Sequence, residues 1–167
     1  MNHLQYSQKV KHDAEGLLAE TNLLGIYSQF GEVYIVGSLA ADLMWDPDID
    51  LLVITENPEE SAKKALERVV SLNLFQKVEF GDFKNFPRKN RPRSFILNTR
   101  KTFNDVSWEI ETWFLTEPGD RFETLEKLKA LPIDSREEII LKKKDRSESG
   151  GSKHDLSSWE IYQEFLN

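Results

Sequence analysis

The sequence has no cysteine at all. That excludes disulfides, thiolate zinc centres and a cysteine nucleophile. It also has no apolar run near the roughly 20 residues that a membrane-spanning helix needs. The first sixteen residues, MNHLQYSQKVKHDAEG, are too polar for a secretory signal, so a soluble cytoplasmic protein is expected. Only three histidines are present, His3, His12 and His154, and their spacing matches no metal motif. Basic charge is in deficit too, with a net charge of −7, which argues against an extended nucleic-acid-binding surface.

What remains is an ordinary globular composition of 167 residues, 39% hydrophobic and 31% charged, enough for one domain with a real core. One stretch runs against the acidic balance. From Lys84 to Lys101 the chain carries seven Lys or Arg and no acid. This predicts a solvated basic loop, with Arg93 and Arg100, which flank a strand, as candidates for a phosphate contact.

Periodicity predicts a helix from Leu4 to Asn22, a short strand Glu32 to Gly37, a turn or so of helix in LAADLM, and a buried strand IDLLVIT. Asn57-Pro58-Glu59-Glu60 predicts a helix start with Asn57 as cap, followed by an apolar face of Ala62, Ala65, Leu66, Val69 and Val70. Leu74 to Phe80, Ser94 to Thr99 and Val106 to Leu115 are expected strands. Three helices should follow: Arg121 to Leu131, Ser135 to Lys144 and Ser157 to Leu166. Ser135-x-x-Glu138 and Ser157-x-x-Glu160 have capping-box spacing. Lys142, Lys143 and Lys144 fit the dipole preference of a helix end. Trp159 and Tyr162 are expected to dock the last helix onto the body. The sum is an α/β (α+β) fold: a small mixed sheet flanked by helices over 1–118, then a helical C-terminal extension over 119–167 packed on it.

Chemistry concentrates in VGSLAADLMWDPDIDLLVIT, Val36 to Thr55. Asp48 and Asp50 are two apart, so on a strand they share a face while Ile49 and Leu51 point to the core. Paired carboxylates repel, and a divalent cation such as Mg²⁺ compensates them while leaving positions for substrate phosphates. Gly37 allows close backbone approach, and the Ser38 hydroxyl and following N–H groups suit phosphate oxygens. A second acid pair, Glu109 and Glu111, lies in VSWEIETWFLT, also two apart on one face. Periodicity does not separate the two. Trp45 and Trp113 lie near these acids and could stack on a base or an acceptor, whereas Trp108 is expected in the core.

Gly37-Ser38, nine intervening residues, and Asp48-Ile49-Asp50-Leu51 together resemble the signature of the nucleotidyltransferase superfamily typified by DNA polymerase β. The subgroup they resemble is the small bacterial aminoglycoside- and lincosamide-type enzymes. That resemblance implies a polymerase-β-like fold and a third carboxylate on a later strand. Glu111 is preferred, since Trp108-x-Ile110-Glu111-x-Trp113 is similar to the subgroup's frame, with Glu109 as the alternative. It further implies that Asp48, Asp50 and Glu111 bind Mg²⁺, or Mn²⁺ in its place. Gly37, Ser38, Arg93 and Arg100 would contact the nucleotide. The implied reaction moves a nucleoside monophosphate from a nucleoside triphosphate to an acceptor hydroxyl, releasing pyrophosphate. The acceptor would be a small molecule or a partner protein. Two rival expectations are an antitoxin that modifies or binds a partner toxin, and a catalytically silent nucleotide-binding module.

Overall fold

The computed structural model describes residues 1–87, 92–150 and 156–166. Helix α1, His3–Thr21, starts with a capping box in which Asn2 Oδ1 accepts the Gln5 N–H at 2.9 Å and Gln5 Oε1 accepts the Asn2 N–H at 3.0 Å. Val10, Ala14, Leu17 and Leu18 form its buried stripe. It ends, as expected, at Asn22, which takes the left-handed conformation with φ 50°. Gly25 falls inside the short α2, Leu23–Tyr27.

Strand β1, Glu32–Val36, runs into the single turn α3, Gly37–Ala40, and then into β2, Asp48–Ile54. Helix α4, Pro58–Ser71, begins on its proline as expected, but Asn57 makes no side-chain cap. Of its expected apolar face, Ala62, Ala65 and Val69 are buried, while Val70 is exposed. Strand β3, Lys77–Asp82, begins three residues later than expected. Strand β4, Phe95–Phe103, runs four residues further than expected, while β5, Val106–Leu115, has the expected bounds. They join through Asn104 and Asp105, both at positive φ, the two-residue turn that matches strand twist.

The three closing helices are α5, Arg121–Lys129, α6, Ile133–Glu148, and α7, Ser158–Leu166. The Ser157–Glu160 capping box forms, with the Ser157 N–H donating to Glu160 at 2.7 Å and Ser157 Oγ accepting the Glu160 N–H at 3.2 Å. The Ser135 box does not: α6 starts at Ile133, two residues earlier and directly behind Pro132, so Ser135 lies inside the first turn and not at the cap position.

The five strands order as β1-β2-β5-β4-β3, with β2 and β5 parallel and the other neighbours antiparallel. One face is dry. Ile49, Leu51, Val53, Phe95, Leu97, Trp108, Ile110 and Phe114 pack there against α1, α2 and α4. On the opposite face Leu52, Trp113 and Ile96 form a smaller apolar cluster with Val36, and Phe122 of α5 packs against it. A third cluster joins α5, α6 and α7 to Ala41 and Leu43 of the loop between α3 and β2.

Candidate active site

Register decides how the acids meet. On the second face, one row across the sheet is Val36, Asp50, Glu111, Asn98 and Glu79. The next row outward is Asp48, Glu109, Arg100 and Lys77. The row inward is Tyr34, Leu52, Trp113, Ile96 and Gly81. The face therefore changes from apolar to charged in one step. The two acid pairs stand in register on parallel neighbours, Asp48 beside Glu109 and Asp50 beside Glu111.

Gly37 meets this row from the side. It sits at φ +64°, and a Cβ built on it would overlap the Asp50 carboxylate. Both facts require glycine: the conformation disfavours side chains, and the carboxylate fills the space. Asp50, Glu111 and Gly37 line one cavity of about 200 Å³ together with Trp113, Arg121, Trp159 and Tyr162. The Arg121 guanidinium stacks over the Trp113 ring, 5.5 Å from its centroid. Asp120 adds a further acid to the wall.

The other expected site residues stand apart from this cavity. Asp48 and Glu109 lie one row outward, and Glu109 Oε1 accepts from Asn98 Nδ2 at 2.6 Å. Arg100 lies within β4, exposed, between Glu109 and Lys77 in register, and not at a strand end. Arg93 occupies the bend before β4. Three residues of the basic stretch, Arg88, Lys89 and Arg91, fall outside the described residues, as does His154. Trp45 is taken up by Tyr6, with ring centroids 4.4 Å apart. Trp108 is in the core as expected.

Ser38 is buried and points to the C-terminal helices. Its Oγ accepts from Lys143 Nζ at 2.8 Å and lies 3.1 Å from the Tyr162 hydroxyl. Lys143 also donates to the Leu43 carbonyl and to the Tyr162 hydroxyl, each at 2.9 Å. Its reading as a helix-end lysine is overturned. Helix α6 continues to Glu148, and the Lys143 side chain is fully buried with all three N–H groups on neutral oxygens. Among the described residues no carboxylate pairs with it. A buried ammonium without a counter-charge is costly, and an anion at Ser38 offsets that cost. The signal in the sequence was weak: three consecutive lysines do not reveal which one faces inward.

The loop carrying Asp48 is clamped from the same helix. Arg146, itself buried, pairs with Asp46, and Asp46 O accepts the Asp48 N–H at 2.9 Å. Arg146 also donates to the Leu156 carbonyl at 2.8 Å. Helix α6 thus touches both halves of the site, the serine turn and the approach to the first aspartate.

A divalent metal fits the donor chemistry here: hard carboxylate oxygens on adjacent strands beside a glycine that admits no Cβ. Among the described residues no three such side chains are already gathered into a metal cage.

No protein-family model matches the chain, and no curated relative matches it. A solved structure does. It is Cid1, whose described activity is RNA terminal uridylyl transfer and for which structural plasticity is given as the basis. The match has a TM-score of 0.58 at 16% identity over 81% of this chain and 39% of Cid1. The chain therefore spans well under half of Cid1's length. Among the described residues no helix is long and apolar enough to cross a membrane. With its five-stranded mixed sheet flanked by helices, the chain shares the fold of the matched part of Cid1.

Proposed function

We propose that this protein is a metal-dependent nucleotidyltransferase that moves a nucleoside monophosphate from a nucleoside triphosphate to an acceptor hydroxyl. The observation that carries the reading is the in-register Asp50–Glu111 pair, next to Asp48 and against Gly37, within this fold. Asp48, Asp50 and Glu111 would hold Mg²⁺, with Mn²⁺ as a substitute. When bound, such an ion offsets the charge that builds on the triphosphate during transfer.

The chain's own residues divide the remaining work. Gly37 lets the backbone approach the phosphates, and Ser38 with Lys143 supplies donors and positive charge for the terminal ones. Glu111, which lines the cavity beside Asp50, would take the acceptor proton. The acceptor oxygen forms a bond to the α-phosphorus, the bond from that phosphorus to the bridging oxygen breaks, and pyrophosphate leaves. Trp113 and Trp159 give the cavity aromatic walls for a base or an acceptor ring. The resemblance to aminoglycoside- and lincosamide-type enzymes favours a small hydroxylated acceptor. Arg93 and Arg100 remain outside the cavity and are assigned to incoming substrate.

The test is calorimetric titration of each nucleoside triphosphate with and without Mg²⁺, on the wild type and on Asp50→Asn. Metal-dependent binding that the substitution abolishes is expected. Binding indifferent to metal and to Asp50 would rule the reading out.

A further inference from the structure

The last helix occupies the phosphate donors that the proposed function requires. The Tyr162 hydroxyl accepts from Lys143 Nζ at 2.9 Å and lies 3.1 Å from Ser38 Oγ. With the Leu43 carbonyl, these contacts consume every N–H of Lys143. A phenol oxygen thus stands where a phosphate oxygen would be received. The cavity is tight as well. At about 200 Å³ it falls below the roughly 300–1,000 Å³ typical of ligand pockets. Two of its lining residues, Trp159 and Tyr162, come from α7.

The geometry points to α7 as a built-in competitor: Tyr162 closes the phosphate subsite, and a triphosphate enters by displacing the phenol from Ser38 and Lys143. This rests on the nucleotidyltransferase reading and adds regulation to the same site. Exchange is favourable because a phosphate oxygen is a charged acceptor, and hydrogen bonds to charged groups are about twice as strong as neutral ones. It also brings an anion to Lys143, whose three partners among the described residues are neutral oxygens. The helix is short enough to release. It has nine residues, and Trp159 on it is already 48% exposed. Its other holds include an ion pair from Lys142 to Glu164, the Lys142 ammonium 5.2 Å from the Phe165 ring centroid, the burial of Ile161, and the packing of Phe165 and Leu166 on the helical cluster.

The experiment titrates inorganic tripolyphosphate with Mg²⁺ onto the full chain by calorimetry, for the wild type, Tyr162→Phe and Glu164→Gln. Tyr162→Phe removes only the competing oxygen and should tighten binding roughly tenfold. Glu164→Gln loosens α7 from outside the site and should tighten it by about two- to fivefold, the scale of an exposed ion pair. Tryptophan emission should shift on binding in the wild type, a change that Trp159→Phe removes. Unchanged or weaker binding by both variants overturns the competitor role, because the phenol then supports the site. If Tyr162→Phe does not fold, as judged by its thermal melt, Glu164→Gln decides alone. Absence of metal-dependent binding in all three proteins is a different failure, which removes the nucleotidyltransferase reading and this inference with it.

Discussion

The two faces of the sheet are built from the same strands, yet they serve opposite ends. On the helix-covered face every position along β2 and β5 is apolar or tightly buried, from Ile49 to Val53 and from Trp108 to Phe114. Burial there pushes the Tyr27 phenol up to about 12. Thr112 pulls it part of the way back, although the two oxygens do not reach hydrogen-bond geometry. On the other face the apolar row of Leu52 and Trp113 stops, and the next row carries Asp50 and Glu111. Stability is concentrated on the first face and the proposed chemistry on the second. Strand alternation lets one short segment, Asp48–Ile54, supply both.

That division can be broken from either side. Leu51→Ala should cost about 2–5 kcal/mol in a denaturant melt, because it opens a cavity in the dry face. Triphosphate binding per folded molecule should be retained. A loss of binding equal to that of Asp50→Asn would show that the faces are not separable.

Glu111→Gln works in the other direction. It should lower nucleotidyl transfer by on the order of 100-fold, the scale of removing one transition-state electrostatic contact, with no loss of thermal stability. Glu109→Gln, one row outward and bound by Asn98, should have the smaller effect. Equal effects would reassign the third carboxylate.

The smallest effect concerns the edge of the dry face. Asp13 of α1 accepts from Lys9 at 2.5 Å and from Asn104 of the β4–β5 turn at 2.9 Å. The Lys9 hydrogen bond first, and the Asn104 one with it, hold the Asp13 carboxyl below its ordinary value of 3.8. A lowered carboxyl stabilises the fold at pH above that ordinary value, and this contribution fades as the pH falls through the lower folded value. Asp13→Asn should therefore cost about 1 kcal/mol at neutral pH and nothing in strong acid. A difference that grows as the pH falls would contradict the sign.

Much of the architecture was legible. Helix α4 could be placed from its proline and the strand β2 from its apolar run, because both signals are local. The Ser157–Glu160 box was readable for the same reason. Local signals misled where a neighbour outweighed them. Pro132 moved the start of α6 ahead of Ser135. The site was half legible. Asp48, Asp50 and Gly37 announce themselves by spacing, whereas Lys143 sits in a run of three lysines with nothing local to single it out.

The sequence by itself determined the dyad of acids on each of two strands, since a two-residue repeat fixes the shared face without any partner. It determined the glycine-serine turn as well, since that conformation is a property of one residue. Only the tertiary structure decided which glutamate stands beside Asp50, because register is set by how β2 and β5 pair across sixty residues of chain. Only it decided that Lys143 and Tyr162 converge on Ser38. They lie 105 and 124 residues away along the chain, and helix packing, with no pattern of its own in the sequence, brings them there.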